Sequence, residues 1–312
     1  MLTRRALFLD CSAQMRALVD GGAMSATPWL EIHDGDPAQA DIPDLLRGVR
    51  IVLNGHTPMP ASILEVCRDL SAIIFLGTGA SSYVDLEAAD RLGIAVYTIR
   101  DYGSRSVAEH ALALALAGSR HLAAMDRDLR AGRWQPRRGT EFRGRVLSVI
   151  GVGPIGREMI QLGSALGMSV QAWSRNGVDD HLPCRSVEFD KALSGGDVVS
   201  LHLALTPATE EIIGRRELAL MKPGAILVNT ARGALIDEAA LVEALLAGRP
   251  SHAALDVFSS EPLPHGHPLT FNENVTLTAH AGFNTTDAAR ALLEKSSAQL
   301  AELMEEVPNR NP

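Results

Sequence analysis

Short aliphatic and β-branched runs alternate with amphipathic stretches along most of this chain, and the alternation predicts its architecture. Ala6–Leu9, Leu30–His33, Ile51–Leu53, Ala72–Leu76 and Ile94–Thr98 read as strands, with helical spacing at Ala61–Leu70 and Val84–Leu92. From Arg145 onward the units lengthen. Strands are predicted at 145–150, 169–173, 197–203, 225–230, 252–257 and 275–279, and helices at 155–166, 208–213, 215–221 and 237–247. Strands alternating with helices build parallel sheets covered on both faces.

A boundary falls near Arg100-Asp101-Tyr102-Gly103. Beyond it, Ser106-Val107-Ala108-Glu109 has the form of a capping box. The helix it opens, through about Ala123, is apolar on nearly every face and is expected to lie buried between layers. His110, in its first turns, reads as a satisfied core or hinge histidine. The polar stretch Ala131–Phe142, with Arg133, Arg137 and Arg138, reads as a surface loop reaching toward a second subunit. A last helix from Thr285 to Glu306 should return the chain to its first domain, with Pro308–Pro312 frayed. The fold expected is α/β with two domains, residues 1–100 plus 286–312 and residues 101–285. Two crossings of the chain between them imply a cleft and a hinge.

The second domain opens on Val146-Leu147-Ser148-Val149-Ile150-Gly151-Val152-Gly153-Pro154-Ile155-Gly156. A G-x-G-x-x-G carries meaning only between a strand and a helix, and both flanks fit here. Gly151 permits the sharp turn, Gly153 lets a pyrophosphate approach the backbone, and Gly156 lets helix and strand pack closely. The first amides of the helix, with its dipole, then favour phosphate. Six parallel strands behind this fingerprint make the doubly wound, Rossmann-type dinucleotide fold. In the first domain, Leu76-Gly77-Thr78-Gly79 also follows a strand, and its amides could hold a carboxylate.

Composition narrows the function. At 312 residues the chain exceeds one ordinary core. A net charge of −8 argues against a nucleic-acid partner and requires a local positive site for any anionic substrate. Cys11, Cys67 and Cys184 are isolated and without metal spacing, which fits buried thiols in a reducing cytoplasm. The basic start Met1–Arg5 leads into an apolar run that Asp10 ends too soon for a signal segment, and no run could span a bilayer. His265 and His267 lack carboxylate partners, so no metal is expected.

Strand 169–173 ends in Ser174-Arg175-Asn176, where an acidic residue would hold an adenosine ribose, and no acid follows until Asp179. Serine and arginine suit a 2′-phosphate through charge-assisted hydrogen bonds, which predicts preference for NADP(H), with NAD(H) as the other candidate. Three further stretches lie at carboxyl ends of predicted strands, where open α/β sheets bind ligands. They are Val228–Gly233, Leu255–Leu263 and Thr278–Thr285. Singly, Arg232 could be a helix-capping cation, Glu261 a loop acid and His280 a packed histidine. Together they form an arginine–acid–histidine set.

With these motifs in this order, nearly the whole chain resembles the D-isomer-specific 2-hydroxyacid dehydrogenases. The match rests on Gly151–Gly156, Leu201-His202-Leu203-Ala204-Leu205-Thr206, Asn229–Gly233, Asp256–Pro262 and His280. The resemblance implies a flavodoxin-like substrate domain, a cleft site, a homodimer and a set of roles. Arg232 would bind the carboxylate of a small 2-oxo acid and polarise its oxo group, and His280 would act as general acid and base with Glu261 paired to it. Thr78 and Gly79 would hold the carboxylate through amides. Gly151, Gly153, Pro154, Ile155, Gly156, Ser174, Arg175, Thr206, Ala231 and Asp256 would line the cofactor. The chemistry agrees, since a guanidinium fork matches a carboxylate and a carboxylate beside an imidazole favours the ring's cation, the proton donor. The expected activity is therefore reduction of glyoxylate- or hydroxypyruvate-type acids to D-2-hydroxy acids.

Departures from the family pattern affect the substrate. Ala204 and Ala279 stand where proline is usual, and Phe283-Asn284 follow the histidine. Asn54-Gly55-His56 lies where relatives that handle 3-phosphoglycerate carry arginine, which weakens that alternative, although His56 could partly substitute. A nucleotide-sensing binding protein is the other alternative, and an intact Arg232, Glu261 and His280 set argues against it.

Overall fold

Consecutive residues of the inner strands enter opposite cores, which is how these apolar runs come to be covered on both faces. In the computed structural model, which describes residues 6–24 and 29–306, Met1–Arg5 and Pro308–Pro312 lie outside the described residues. The chain divides into two compact units, Met1–Gly103 with Thr285–Pro312, and Ser104–Asn284.

The first unit holds β1 (Ala6–Cys11), β2 (Leu30–Asp34), β3 (Ile51–Asn54), β4 (Ala72–Phe75) and β5 (Ala95–Thr98). All pairings are parallel, in the order β2-β1-β3-β4-β5, the flavodoxin-like arrangement. Ile51, Leu53 and Ile74 face one core while Val52, Ile73 and Phe75 face the other. The C-terminal helix Thr286–Glu306 completes the first of these with Leu292, Leu293, Leu300, Leu303 and Met304. Its return to this unit follows from that burial, since each fully buried leucine contributes roughly 1.5–3 kcal/mol.

The second unit holds β6 (Val146–Ile150), β7 (Ser169–Trp173), β8 (Arg185–Ser186), β9 (Val198–Leu201), β10 (Ile226–Asn229), β11 (His252–Leu255) and β12 (Val275–Leu277). These strands are parallel, in the order β12-β11-β10-β9-β6-β7-β8, so this is a doubly wound Rossmann-type sheet. Ile226 and Val228 face one core and Leu227 the other. The short β8 makes seven strands where six were expected. Only two residues pair there, too few for an apolar pattern to announce them.

Other expectations are corrected. No helix forms over 208–213. Thr209 Oγ1 accepts from Thr206 N at 2.8 Å and donates to Ala204 O at 2.7 Å, and Ile213 N donates to Leu235 O instead of joining a helix. The helix over Ala61–Leu70 stops at Leu64 and continues as tight turns, with Cys67 N on Leu64 O and Leu70 N on Cys67 O. Ser106 is not a cap, because the helix spans Ser104–Ser119 and Glu109 pairs with Arg105 at 2.6 Å. That helix ends at Ser119, as His121 turns left-handed before a second helix, Leu122–Arg130. It also keeps an exposed stripe, Arg105, Glu109, Ala113 and Leu116, opposite its buried Ala108, Ala111, Leu114 and Ala115. The loop after it is anchored through buried Asp128, which accepts from Arg133 and Arg137.

Candidate active site

Register brings the catalytic candidates to one edge of the sheet. Asn229 of β10 is aligned with Leu255 of β11, and Leu255 with Leu277 of β12. Arg232, Asp256 and His280 therefore leave the sheet on the same side, at its carboxyl edge. The strands end short of their predicted limits because Thr230, Asp256 and Thr278 already belong to the loops of this crevice.

Each loop is fixed by its own chemistry. Buried Asn229 closes the turn before Arg232, accepting from Ala231 N at 3.0 Å and donating to Arg232 O at 2.9 Å. Gly233 lies so close to the next loop that a Cβ there would overlap the backbone of Phe258 and Ser259. That contact joins the Arg232 turn to the loop carrying Glu261. Glu261 Oε1 accepts from Phe258 N at 2.9 Å, and Oε2 lies 2.7 Å from His280 Nδ1. Glu261 thus engages Nδ1, and Nε2 makes no hydrogen bond among the described residues. Phe283 meets the His280 ring edge-on, with centroids 6.0 Å apart. His280 itself is left-handed at φ 49°, a conformation that costs a non-glycine residue roughly 1–2 kcal/mol. The Arg232 guanidinium is exposed and, among the described residues, makes one hydrogen bond, to the neighbouring Ala231 O at 2.6 Å.

Asp256 is 1% exposed and accepts from Thr278 Oγ1 at 2.5 Å and from the amides of Ala281 and Gly282 at 2.9 Å. Burial pushes its carboxyl up, but the His110 ring beside it, the Thr278 hydroxyl and these amides outweigh burial and hold it well below the ordinary range. The expected cofactor contact of Asp256 thus falls on a carboxylate already supplied with donors. His202, at the end of β9, shares a 2.9 Å hydrogen bond with Ser200 Oγ, and burial lowers its pKa to about 4.

The glycine fingerprint fits a dinucleotide. Gly151 is left-handed at φ 100°, and a Cβ there would meet His202 O at 2.5 Å. Gly156 has no room for a Cβ against Gly151 O. Gly153 caps the helix Pro154–Ala165 without a side-chain hydrogen bond, and open space surrounds the place its Cβ would take. The first amides of this helix thus lack a side-chain cap, an arrangement that suits an anion such as a phosphate. At the end of β7, Arg175 is exposed and has no hydrogen bond or ion pair among the described residues, whereas Asp179 is engaged by Arg157 at 3.0 Å. Thr206 is tied into the Thr209 turn described above.

In the first unit, Gly77 is left-handed at φ 153°, and the amides of Thr78 and Gly79 donate to no backbone acceptor among the described residues. The next loop along has a feature that the sequence did not announce. Buried Asp10 accepts the amides of Gly55, His56 and Thr57 at 2.7–3.1 Å, and His56 Nε2 lies 2.7 Å from Asp36. His56 is thus held between carboxylates. His267 caps the helix Pro268–Phe271 through Leu269 N at 3.4 Å and, against expectation, has a carboxylate partner, Glu238 Oε2 at 3.4 Å from its Nε2.

Comparison with known proteins decides the family. A family model for the NAD binding domain of D-isomer specific 2-hydroxyacid dehydrogenases matches residues 112–282. The chain belongs to this family. It is 34% identical to a hydroxypyruvate reductase of Blautia hydrogenotrophica over 268 residues, 83% of each chain. It is also 34% identical to a D-3-phosphoglycerate dehydrogenase of Archaeoglobus fulgidus, over 83% of this chain and 50% of that one. The chain thus spans about half the length of its phosphoglycerate dehydrogenase relatives. A glyoxylate reductase from Paecilomyes thermophila superposes over 100% of both chains with a TM-score of 0.82 at 28% identity.

Proposed function

We propose that this chain is a reductase of small 2-oxo acids of the glyoxylate or hydroxypyruvate type, producing D-2-hydroxy acids with NADP(H) preferred over NAD(H). The observation that carries the reading is the His280–Glu261 pair at 2.7 Å on the same sheet edge as an Arg232 guanidinium without a carboxylate partner. Arg232 holds the substrate carboxylate with its planar fork and draws electron density from the oxo group. Glu261 fixes the His280 ring through Nδ1, so that Nε2 donates the proton to the oxo oxygen and retrieves it in the reverse direction. In the first unit, read as the substrate domain, the amides of Thr78 and Gly79, which donate to no backbone acceptor among the described residues, suit a carboxylate. Gly151, Gly153, Pro154, Ile155 and Gly156 hold the pyrophosphate, Thr206, Ala231 and Asp256 line the cofactor, and Ser174 with Arg175 takes the 2′-phosphate. When bound, the nucleotide supplies the hydride that reaches C2.

Names among the relatives favour a second reading, 3-phosphoglycerate dehydrogenase. The loop Asn54–Thr57 speaks against it, because its His56 is engaged by Asp36 and lies 3.6 Å from Asp10, so a phosphate there would meet carboxylates. Exposed Leu116, Leu122, Leu129 and Trp134 support a homodimer, and free Cys11, Cys67 and Cys184 support a cytoplasmic location. Among the described residues no helix is long and apolar enough to cross a membrane.

The test is initial rates of NADPH and NADH oxidation with glyoxylate, hydroxypyruvate, pyruvate, phenylpyruvate and 3-phosphohydroxypyruvate. Fastest turnover of glyoxylate or hydroxypyruvate with NADPH is expected. Preference for the phosphorylated acid would replace the reading with its rival, and tight nucleotide binding without turnover of any acid would point to a nucleotide sensor.

A further inference from the structure

His110 lies in the second turn of the helix Ser104–Ser119, far in sequence from the catalytic candidates, yet its ring ends on the segment that carries His280. Its Nε2 is 2.9 Å from Thr278 Oγ1 and 3.3 Å from Asp256 Oδ1. The proton positions follow from donor and acceptor inventories. An ionised carboxylate only accepts, so the single hydroxyl proton of Thr278, 2.5 Å from Asp256 Oδ1, is directed to Asp256. Thr278 Oγ1 must then accept from His110, which places a hydrogen on Nε2.

The same carboxylate gathers the residues that follow the catalytic histidine. Asp256 takes the amides of Ala281 and Gly282, and its carbonyl takes the amide of His280. Packing closes the arrangement, since a Cβ on Gly282 would lie 3.1 Å from Asp256 Oδ2 and 3.5 Å from His110 Cδ2. His280 is left-handed and reaches its partner Glu261 only while this segment keeps its path.

We propose that His110 is a positioning residue: its Nε2–H, passed through Thr278 Oγ1 to Asp256, holds the Thr278–Gly282 segment so that His280 stays aimed at the substrate. This rests on the reductase reading only for its kinetic consequence. Asp256 then serves the site by organising the loop, through Thr278 Oγ1 and Ala281 N on Oδ1 and Gly282 N on Oδ2.

The test uses the full chain with His110→Leu, which removes the N–H, His110→Gln, which offers an amide N–H in its place, and Thr278→Val, which removes the relay. Steady-state kinetics is paired with hydrogen exchange of the peptide spanning 278–284. His110→Leu and Thr278→Val should lower kcat about tenfold to a hundredfold, the cost of a misplacement near 1 Å, with KM and nucleotide Kd little changed. Exchange in that peptide should quicken in both, and His110→Gln should restore most of kcat and the slow exchange. Wild-type kcat in the two disruptive variants, unaltered exchange, or a Gln variant as impaired as Leu in both readouts would overturn the proposal. If His110→Leu does not fold, Thr278→Val carries the comparison. If the wild-type chain turns over no 2-oxo acid, the reductase reading falls while the exchange comparison still decides the role of His110.

Discussion

Replacing Gly233 with alanine tests whether the Arg232 turn and the Glu261 loop act as one unit. The added methyl would meet Phe258 C, Phe258 O and Ser259 N, all closer than 3.0 Å, against an ordinary carbon contact of about 3.5 Å. These are backbone atoms, so no rotamer change relieves the overlap and one of the two loops must move. A shift on the order of 1 Å at a site that aligns two reacting partners costs roughly a hundredfold in rate. The same overpacking should destabilise the fold by about 1–3 kcal/mol, because Gly233 is buried beside Leu235. The nucleotide fingerprint lies on a different strand–helix turn and should keep its affinity. Initial rates with the best 2-oxo acid, nucleotide titration by fluorescence and thermal unfolding together read all three quantities. Gly233→Ala with wild-type kcat/KM would refute the reasoning, since it would show that the loop separation is irrelevant to the chemistry. Loss of rate matched by an equal loss of nucleotide affinity would refute the claimed locality.

Gly153→Ala should leave the melting temperature nearly unchanged, because open space surrounds the new methyl, but should weaken nucleotide binding by calorimetry. Intact affinity would remove Gly153 from the pyrophosphate site. Arg175→Ala should weaken NADPH roughly tenfold to a hundredfold and NADH little, as for loss of a hydrogen bond to a charged group; equal loss of both would end the phosphate assignment. Arg232→Ala should raise KM and lower kcat, and His280→Ala should mainly lower kcat; unchanged turnover would remove either from the mechanism. His252, 4% exposed, has its pKa lowered from 6.5 to about 4 by burial, with His121 and Arg127 adding to it. A depressed folded-state pKa means stability present above pH 6.5 and lost as pH falls toward 4, on the order of 3 kcal/mol. His252→Gln should flatten the melting temperature across that window, and an unaltered slope would place the titration elsewhere.

Much of this was legible because the deciding interactions are local or periodic. Both sheets follow from apolar runs that are buried on both faces, and the Gly151–Gly156 turn states its geometry within a few residues. What escaped depends on partners distant in sequence. Asp10 satisfies amides 45–47 residues away, and His110 reaches Thr278 across 168 residues. No spacing rule links such positions. The capping box misled for a related reason: Ser106 and Glu109 have the right separation, but Arg105 supplies a nearer partner for the glutamate. The stretch 208–213 has helical spacing, yet Ala234 O and Leu235 O capture the amides of Glu211 and Ile213.

A missing ion pair does not by itself mark a functional arginine. The Arg145 side chain also makes no hydrogen bond or ion pair among the described residues, yet it precedes β6 and so lies at the amino edge of the sheet, away from the candidate loops. Most of the ion pairs here are surface contacts such as Arg16–Asp34 and Arg216–Asp190, which contribute little and say nothing of chemistry. Arg232 differs in placement. It emerges three residues beyond Asn229 at the carboxyl edge, on a turn fixed by Asn229 and by the Gly233 contact, next to the loop whose glutamate orients His280. Among the described residues its guanidinium has no carboxylate partner, which is the condition the proposed role on a substrate carboxylate requires in a chain of net charge −8.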